Sequence, residues 1–154
     1  MTAAFMMDEM MHKVYLGLGS NLGDRHQNIA RAIQLIQERV GQVVRQSSLM
    51  ESEPWGFDSP HFFLNAVILC MTDKTPTQTL LLTQQIERDL GRQKPTGPPS
   101  VQSQSNRRYA DRPIDIDILL YDDLTIDEPY LKIPHPLMQK RDFVMIPLNE
   151  IKNN

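Results

Sequence analysis

The ten residues from Arg112 to Tyr121, RPIDIDILLY, place two carboxylates inside an otherwise apolar strand pattern. Side chains two residues apart in a strand point to the same face, with their Cα atoms roughly 6.6 Å apart. At that separation two ionised carboxylates repel each other by roughly 2–3 kcal/mol at an effective dielectric constant of about 20. Asp115 and Asp117 must therefore share a proton, face open water or bind a cation. We favour a divalent cation that prefers oxygen ligands, such as Mg²⁺; an edge strand with a solvated acidic face is the alternative.

Basic residues cluster just before this acidic pair. From Arg88 to Arg112 there are six lysines and arginines against two aspartates, a local charge of +4, whereas the whole chain carries −3. A positive segment that leads into a carboxylate pair indicates a polyanion bound together with a metal, of which a nucleoside triphosphate with Mg²⁺ is the commonest. A solvated basic loop is the alternative. Nucleic acid is disfavoured, because the chain is acidic overall and lacks interleaved aromatic residues.

The length and composition limit the class of protein. With 154 residues, 40% of them hydrophobic and 23% charged, the chain is expected to fold as one globular domain over residues 13–154. Residues 1–12 are rich in methionine but lack a basic start and an apolar core, so we expect a disordered extension and not a signal peptide. The single cysteine, Cys70, fits a reducing cytoplasm, and no apolar stretch is long enough to cross a membrane. We expect no membrane partner and a monomer.

The order of periodic segments predicts the fold class. Alternating and apolar patterns predict strands at 13–19, 43–51, 62–72 and 112–121, and patterns of helical spacing with capping residues predict helices at 25–39 and from 76 to about 90. The order β-α-β-β-α-β predicts a ferredoxin-like α+β sandwich, in which two helices pack on one face of an antiparallel sheet. A proline-rich and serine-rich loop at 94–106 and an apolar segment at 143–151 are additions to this core.

The glycine-rich segment GLGSNLG, from Gly17 to Gly23, does not predict a dinucleotide site. Its third glycine falls one residue late for that fingerprint, and no parallel β-α-β unit follows. A tight turn from strand to helix explains most of the motif.

Two isolated polar residues allow both a structural and a functional interpretation. Asn65 interrupts an apolar strand, and its amide is satisfied either by backbone or by the edge of a planar heterocycle, with Phe63 two residues away as a stacking surface. His135 lies between two prolines. With Arg141 close behind it, His135 is a candidate phosphate contact, whereas metal ligation is not expected without partners.

Taken together, these segments resemble the 6-hydroxymethyl-7,8-dihydropterin pyrophosphokinase family. The matching motifs, in chain order, are GSNLGD at 19–24, LNA at 64–66, Glu87 before Gly91-Arg92, RPIDIDI at 112–118 and PHP at 134–136 with Arg141. The resemblance covers residues 13–151. It implies the transfer of pyrophosphate from ATP to the hydroxymethyl group of 6-hydroxymethyl-7,8-dihydropterin, with release of AMP, in tetrahydrofolate biosynthesis.

The resemblance also implies roles for individual residues. Catalysis is assigned to Arg92, Arg112, Asp115 and Asp117, and the two aspartates hold two Mg²⁺ ions. The implied ATP site consists of Gln84, Glu87, Arg92, Lys94, Arg108, Tyr109, Arg112, Ile118, Lys132, His135 and Arg141. The implied pterin site consists of Ser52, Glu53, Trp55, Phe63, Asn65, Asp115 and Phe143.

Several positions depart from the pattern of the family. Lys94 stands where a second arginine is usual, Tyr109 replaces a frequent tryptophan, and Phe63 replaces a frequent tyrosine. A lysine is a point charge and not a bidentate fork, so phosphate contacts at residue 94 are expected to be weaker. Two alternatives stay open: another ferredoxin-like, Mg²⁺-dependent nucleotidyltransferase, which would release pyrophosphate, and a regulatory domain that binds a small ligand without catalysis.

Overall fold

The structure, a computed structural model, describes residues 11–92 and 111–152. The elements in chain order are β1 (His12–Ser20), α1 (Arg25–Arg39), β2 (Gln42–Gln46), β3 (Met50–Ser52), β4 (Phe63–Thr72), α2 (Pro76–Asp89), β5 (Asp115–Tyr121), β6 (Ile126–Glu128), β7 (Leu131–Ile133), a 3₁₀ turn (Met138–Lys140) and α3 (Asp142–Lys152). Residues 1–10 and the whole of the predicted loop at 94–106 lie outside the described residues, so the expected disorder of the N-terminal extension stays a prediction.

Capping side chains set the starts of the first two helices, as the sequence predicts. Asp24 accepts a hydrogen bond from the backbone N–H of Gln27 at 3.1 Å and begins α1. Thr75 and Gln78 form a reciprocal capping box at the start of α2, with Pro76 in the first turn. Each cap satisfies backbone donors that have no partner inside the helix.

The sheet confirms the ferredoxin-like prediction. Its strand order is β2-β4-β1-β5, all neighbours are antiparallel, and the short β3 extends the pairing of β4. Strands β6 and β7 form a separate hairpin. Since β5 carries the predicted acidic pair and lies at an edge of the sheet, one side of its backbone is open to residues from other elements.

The two faces of the sheet bury different helices. Helices α1 and α2 pack on the face formed by residues such as Leu16, Ala66 and Ile116, which belong to the larger core cluster. Helix α3 packs on the opposite face against Val67 and Leu119. The functional side chains discussed below project from the face that α3 covers only in part.

Two segments differ from the sequence prediction. The strand predicted at 43–51 is broken, because the five residues from Gln46 to Met50 lie opposite only four on β4, from Ile68 to Asn65, which leaves one extra residue as a bulge. The apolar segment at 143–151 is part of α3. Within the two described stretches, none of the helices has the length and apolarity that crossing a bilayer demands.

Candidate active site

A cavity of about 680 Å³ opens over the ends of β4, β1 and β5, between the loop after β3, the end of α2 and the start of α3. Its floor is the sheet itself. The register places Gly19 between Asn65 on β4 and Asp115 on β5, and Gly17 between Val67 and Asp117. Directly paired residues share a face, so the floor is one surface with carboxylates on one side and an amide on the other.

Glycines keep this floor open. A Cβ atom on Gly19 would lie 3.3 Å from Asn65 Oδ1 and 3.4 Å from Phe63 Cδ1, and one on Gly17 would lie 3.4 Å from the side chain of Leu119. The motif is a strand followed by a turn, as the sequence predicts: Gly17 and Gly19 lie within β1, and Gly23, with a φ of +70°, lies in the turn before α1. Sequence periodicity carries no sign of the open floor, because an empty floor needs the partner strands to be placed.

On the acidic side of the cavity, two arginines of this chain lie next to the carboxylates. Arg92 Nη1 lies 2.7 Å from Asp115 Oδ1 and 2.8 Å from Glu87 Oε2, and Arg112 Nη1 lies 3.6 Å from the same oxygen of Asp115. Burial opposes the charge of both guanidinium groups. The carboxylates outweigh it at Arg92, whose pKa lies above its ordinary value, whereas the pKa of Arg112 lies below its ordinary value. A second anion would therefore stabilise the charge on Arg112.

Glu87 joins helix α2 to the edge of the sheet. Its Oε2 accepts a hydrogen bond from the backbone N–H of Ile116 at 2.8 Å, on the side of β5 that faces away from β1. Burial, with Asp115 nearby, raises the pKa of Glu87 to about 7, although Arg92 and the Ile116 N–H act in the opposite direction. Glu87 thus holds the strand of the acidic pair and orients Arg92 at the same time.

The carboxylate of Asp117 has oxygens available to bind a cation. None of the described residues donates a hydrogen bond to its carboxylate, and the nearest charge partner is His135, whose Nε2 lies 3.9 Å from Oδ2. Desolvation, Asp115 and Glu87 raise the pKa of Asp117 well above its usual range. A divalent cation would reverse that cost.

The acidic pair fits a Mg²⁺ ion that is held partly by substrate and water, and not one enclosed by protein ligands alone. In residues 11–92 and 111–152, no three His, Cys, Asp or Glu side chains are grouped as a metal site. Mg²⁺ is commonly held by one or two carboxylates together with substrate phosphates and water. Asp115 and Asp117, on one face of β5 and partly exposed to the cavity, fit that mode.

His135 is held in one tautomer by its neighbours. Its backbone N–H donates to Leu119 O at 3.0 Å, which fixes the segment after β7 to the sheet. The backbone N–H of Leu137 donates to Nδ1 at 3.2 Å. In the neutral ring the proton is therefore on Nε2, the nitrogen that faces Asp117 and the cavity.

The opposite side of the cavity is apolar with one directed acceptor. Both N–H groups of the Asn65 amide are used, by Met50 O at 2.9 Å and by Ser52 Oγ at 2.8 Å, while none of the described residues donates to Oδ1. Of the two interpretations of Asn65 that the sequence allows, the bond to backbone accounts for one of the two donors. The structure leaves the acceptor alone, because the donors hold β3 against β4.

Aromatic rings and arginines alternate around the rest of this side. The guanidinium carbon of Arg141 lies 4.4 Å from the ring centre of Trp55 and 5.8 Å from that of Phe143, and that of Arg112 lies 5.4 Å from the ring of Phe63. Arg141 is only 9% exposed, and its buried Nε has no hydrogen-bond partner among the described residues. Stacking on the rings holds the charge of Arg141 in place without neutralising it.

Most of the predicted site residues meet in this one cavity. Those that line it are Ser52, Glu53, Trp55, Phe63, Asn65, Gln84, Glu87, Arg92, Arg112, Asp115, Asp117, His135, Arg141 and Phe143. Two do not: Ile118 is buried in the core cluster on the face of α1 and α2, and Lys132 is exposed on the β6–β7 hairpin, where it pairs with Asp127. Lys94, Arg108 and Tyr109 lie outside the described residues.

The cavity also includes residues that the sequence did not single out. They are Gly17, Leu22, Leu80, Arg88, Asp111 and Tyr130, among others. A charge pattern gave a hint for Arg88 and Asp111, which belong to the positive segment. Tyr130 lines the cavity because the β6–β7 hairpin folds back beside it. Nothing in the local sequence predicts this placement of the hairpin.

Comparisons with known proteins agree with one another. Residues 15–153 match the family model of 7,8-dihydro-6-hydroxymethylpterin-pyrophosphokinase (HPPK). The chain is 48% identical over 139 residues to the 2-amino-4-hydroxy-6-hydroxymethyldihydropteridine pyrophosphokinase of Porphyromonas gingivalis, covering 90% of this chain and 89% of that protein. It is 40% identical over 144 residues to the enzyme of the same name from Aquifex aeolicus, covering 94% and 82%.

Solved structures give the same fold. A crystal structure of HPPK-DHPS in complex with substrates matches with a TM-score of 0.68 and 13% identity, over 91% of this chain. Wild-type Plasmodium falciparum HPPK-DHPS matches with a TM-score of 0.65 and 15% identity, also over 91% of this chain. This chain spans only 40% and 41% of the length of those two chains. The match to the family model, together with the identities to curated relatives, establishes that this chain belongs to the 7,8-dihydro-6-hydroxymethylpterin-pyrophosphokinase family.

Proposed function

We propose that this chain transfers the pyrophosphoryl group of ATP to the hydroxymethyl group of 6-hydroxymethyl-7,8-dihydropterin, a step of folate biosynthesis. The hydroxymethyl oxygen attacks the β-phosphorus, the bond between that phosphorus and the oxygen leading to the α-phosphate breaks, and AMP leaves. The hydroxyl proton is released in the same step. Membership of the family carries the class of reaction, and the chemistry of the cavity supports it.

The single observation that carries the proposal is the division of the cavity floor. Asp115 and Asn65 lie on the two sides of Gly19, with arginines beside the first and aromatic rings beside the second. A phosphate chain with a cation suits the first side, and a flat heterocycle suits the second. The hydroxymethyl group that joins the two substrates would then lie over the glycine.

On the phosphate side, this chain's own residues supply charge and position. Arg92, Arg112 and Arg141 are partly or fully buried cations around the cavity, and His135 presents Nε2 beside Asp117. Two bound Mg²⁺ ions would neutralise the triphosphate and polarise the β-phosphoryl group, with Asp115 and Asp117 as their protein ligands. Transfer of a phosphoryl-type group needs little covalent chemistry from the protein, so preorganised charge carries most of the rate.

On the pterin side, Asn65 supplies a directional hydrogen-bond acceptor and the aromatic rings supply stacking surface. Asn65 Oδ1 accepts a hydrogen bond and cannot donate one, so it selects a ligand edge that presents an N–H, as the amino-pyrimidinone ring of a pterin does. Phe63 and Phe143 line the cavity near this amide and offer stacking surfaces. Ser52, which accepts from Asn65, fixes the orientation of the amide.

The test is the identity of the nucleotide product. Purified protein incubated with ATP, Mg²⁺ and 6-hydroxymethyl-7,8-dihydropterin should release one AMP per pterin consumed, measured by chromatography, and the pterin should gain both phosphorus atoms in its ³¹P spectrum. Production of ADP would indicate transfer of a single phosphoryl group. Release of pyrophosphate would indicate the rival nucleotidyltransferase, and ligand binding that is independent of Mg²⁺ and without turnover would indicate the regulatory domain.

A pair of variants separates the acidic site from general effects of charge. Asp117→Asn keeps the shape of the side chain but removes a proposed ligand, and we expect turnover to fall by at least about 10³-fold. Asp123→Asn, an exposed carboxylate in the turn after β5, removes the same charge from a residue that does not line the cavity. Equal rates in the two variants would contradict the metal assignment.

The compartment and the oligomeric state belong to the same proposal. We propose a cytoplasmic enzyme, because Cys70 is buried and the sequence holds no second cysteine with which it could pair. We also propose a monomer, since this chain's own residues supply both the acidic and the apolar side of the cavity. Light scattering during turnover would test the second point, and a dimer that is required for activity would refute it.

A further inference from the structure

Asn21 belongs to the glycine motif but points away from its floor, and none of the roles above uses it. It follows β1 directly and is only 2% exposed. A buried amide requires partners, since each unsatisfied group costs roughly 1–3 kcal/mol. Its partners show which parts of the molecule it connects.

Those partners come from both loops beside the cavity. Asn21 Nδ2 donates to Asp111 Oδ1 at 2.7 Å and to the backbone oxygen of His61 at 3.1 Å. His61 lies in the loop between β3 and β4 that also carries Trp55, whereas Asp111 begins the described chain that leads into β5. One side chain therefore ties the aromatic loop to the segment before the acidic strand.

Asn21 also holds the backbone of Arg112 from both sides. The N–H of Arg112 donates to Asn21 Oδ1 at 2.7 Å, and the N–H of Asn21 donates to Arg112 O at 3.1 Å. This Arg112 backbone is the base from which the guanidinium reaches to 3.6 Å from Asp115 Oδ1. Because the base is fixed at its amide and its carbonyl, the reach of the guanidinium is fixed with it.

We propose that Asn21 is a positioning residue that aligns Arg112 with the acidic strand and couples that alignment to the loop at His61. It touches neither substrate and acts through the backbone of Arg112 and the carboxylate of Asp111. The catalytic consequence rests on the proposed function, in which Arg112 contacts phosphate. The positional consequence is independent of it and can be measured in the substrate-free protein.

Exchanging donor and acceptor tests the contact directly. Asn21→Asp still accepts from the Arg112 N–H but places a carboxylate 2.7 Å from that of Asp111, and we expect kcat to fall about 10- to 100-fold. Asp111→Asn alone keeps an acceptor for Asn21 and is the second single variant of the cycle, so its kcat should fall less than that of Asn21→Asp. Asn21→Asp with Asp111→Asn restores the hydrogen bond between residues 21 and 111 with the roles reversed, but not the one to His61 O. We therefore expect kcat to recover at least threefold over Asn21→Asp without reaching the wild-type value.

A second readout does not depend on the reaction. Hydrogen exchange of the peptide that covers residues 111–114 should rise in substrate-free Asn21→Asp and return towards wild type in the double variant. Arg25→Met is the matched control, because Arg25 Nη1 holds the same loop through Phe62 O at 3.0 Å but does not contact Arg112. It should leave both exchange at 111–114 and kcat near the wild-type values.

Each result decides the matter. Wild-type kcat and exchange in Asn21→Asp, or a folded double variant as impaired as the single one, would overturn the proposal. If Asn21→Asp does not fold, Asn21→Ser replaces it, since a short hydroxyl cannot span the three partners, and wild-type kcat in that variant is equally fatal. If wild-type protein releases no AMP, the proposed function fails, while the exchange experiment still decides whether Asn21 holds Arg112.

Discussion

Gly19→Ala should separate ligand binding from folding, because glycine at this position serves the cavity and not a turn. The added methyl would lie 3.3 Å from Asn65 Oδ1, closer than ordinary van der Waals contact, and 3.4 Å from Phe63 Cδ1, at the lower limit of ordinary contact. Asn65 cannot move freely, since its amide is held at 2.8 and 2.9 Å by Ser52 Oγ and Met50 O. The acceptor must therefore shift by a few tenths of an ångström, and the methyl also occupies the floor where the substrates would meet.

The expected effect is large on binding and small on stability. Small misplacements of a bound group cost up to about 10²-fold, so we expect the pterin Kd, measured by calorimetry with a non-hydrolysable ATP analogue and Mg²⁺, to rise about 10- to 100-fold. Replacing glycine by alanine reduces the entropy of the unfolded chain by about 0.4–1 kcal/mol, which offsets part of the crowding. The free energy of unfolding should therefore change by less than about 1 kcal/mol.

Gly17→Ala is the matched control on the same strand and face. Its methyl would meet only the side chain of Leu119, at 3.4 Å, which can adjust by rotation. We expect the pterin Kd to change less than fivefold. If Gly19→Ala binds pterin as tightly as wild type, or if both variants weaken binding equally, the assignment of Asn65 and Phe63 to the heterocycle is wrong.

Four further changes test the site and its support. Asp117→Asn should raise the Tm in Mg²⁺-free buffer near pH 8 while abolishing turnover, because the pKa of this carboxyl is raised and its ionised form destabilises the folded state. The pKa of Glu87 is raised to about 7, so protonation of this carboxyl stabilises the folded state. That stabilisation is fully present below a pH of about 4.5 and is lost as the pH rises through about 7. Substrate-free wild type should therefore lose on the order of 2 kcal/mol relative to Glu87→Gln over that range in denaturant titrations. Trp55→Leu should weaken binding of an ATP analogue about three- to tenfold, because the ring that stacks on Arg141 is lost. In protein that already carries Arg141→Met, adding Trp55→Leu should weaken binding no further. Thr75→Ala should cost about 1 kcal/mol of stability by loss of the helix cap and leave kcat unchanged.

Local chemistry explains what the sequence predicts well. Asp24, Thr75 and Pro76 predict where α1 and α2 begin. The alternation of Asp115 and Asp117 with isoleucines predicts which face of β5 is polar. These signals act over three or four residues, so one chain is enough to recognise them. The clustering of Arg92, Arg112 and the acidic pair follows from charge alone.

Features that depend on tertiary placement are not predicted. The need for glycine at Gly17 and Gly19 is visible only once β4 and β5 are placed beside them. The use of both Asn65 donors is likewise visible only once Met50 and Ser52 are placed. Helix α3 was only an apolar segment in sequence, because Pro147 lies inside it and weakens the helical signal. The assignment of Ile118 and Lys132 to the ATP site rests on the resemblance, and the described cavity does not include them.

The hydrogen bond between Glu87 and the N–H of Ile116 has a consequence for solubility. An uncovered edge strand invites another chain to add to it, and natural proteins guard such edges with charge. Here a carboxylate from α2 accepts the outward N–H of Ile116, near the start of the acidic strand. The residue that steadies Arg92 for the substrate thus also blocks sheet extension, so a variant at Glu87 exposes this border to self-association as well as disturbing the cavity.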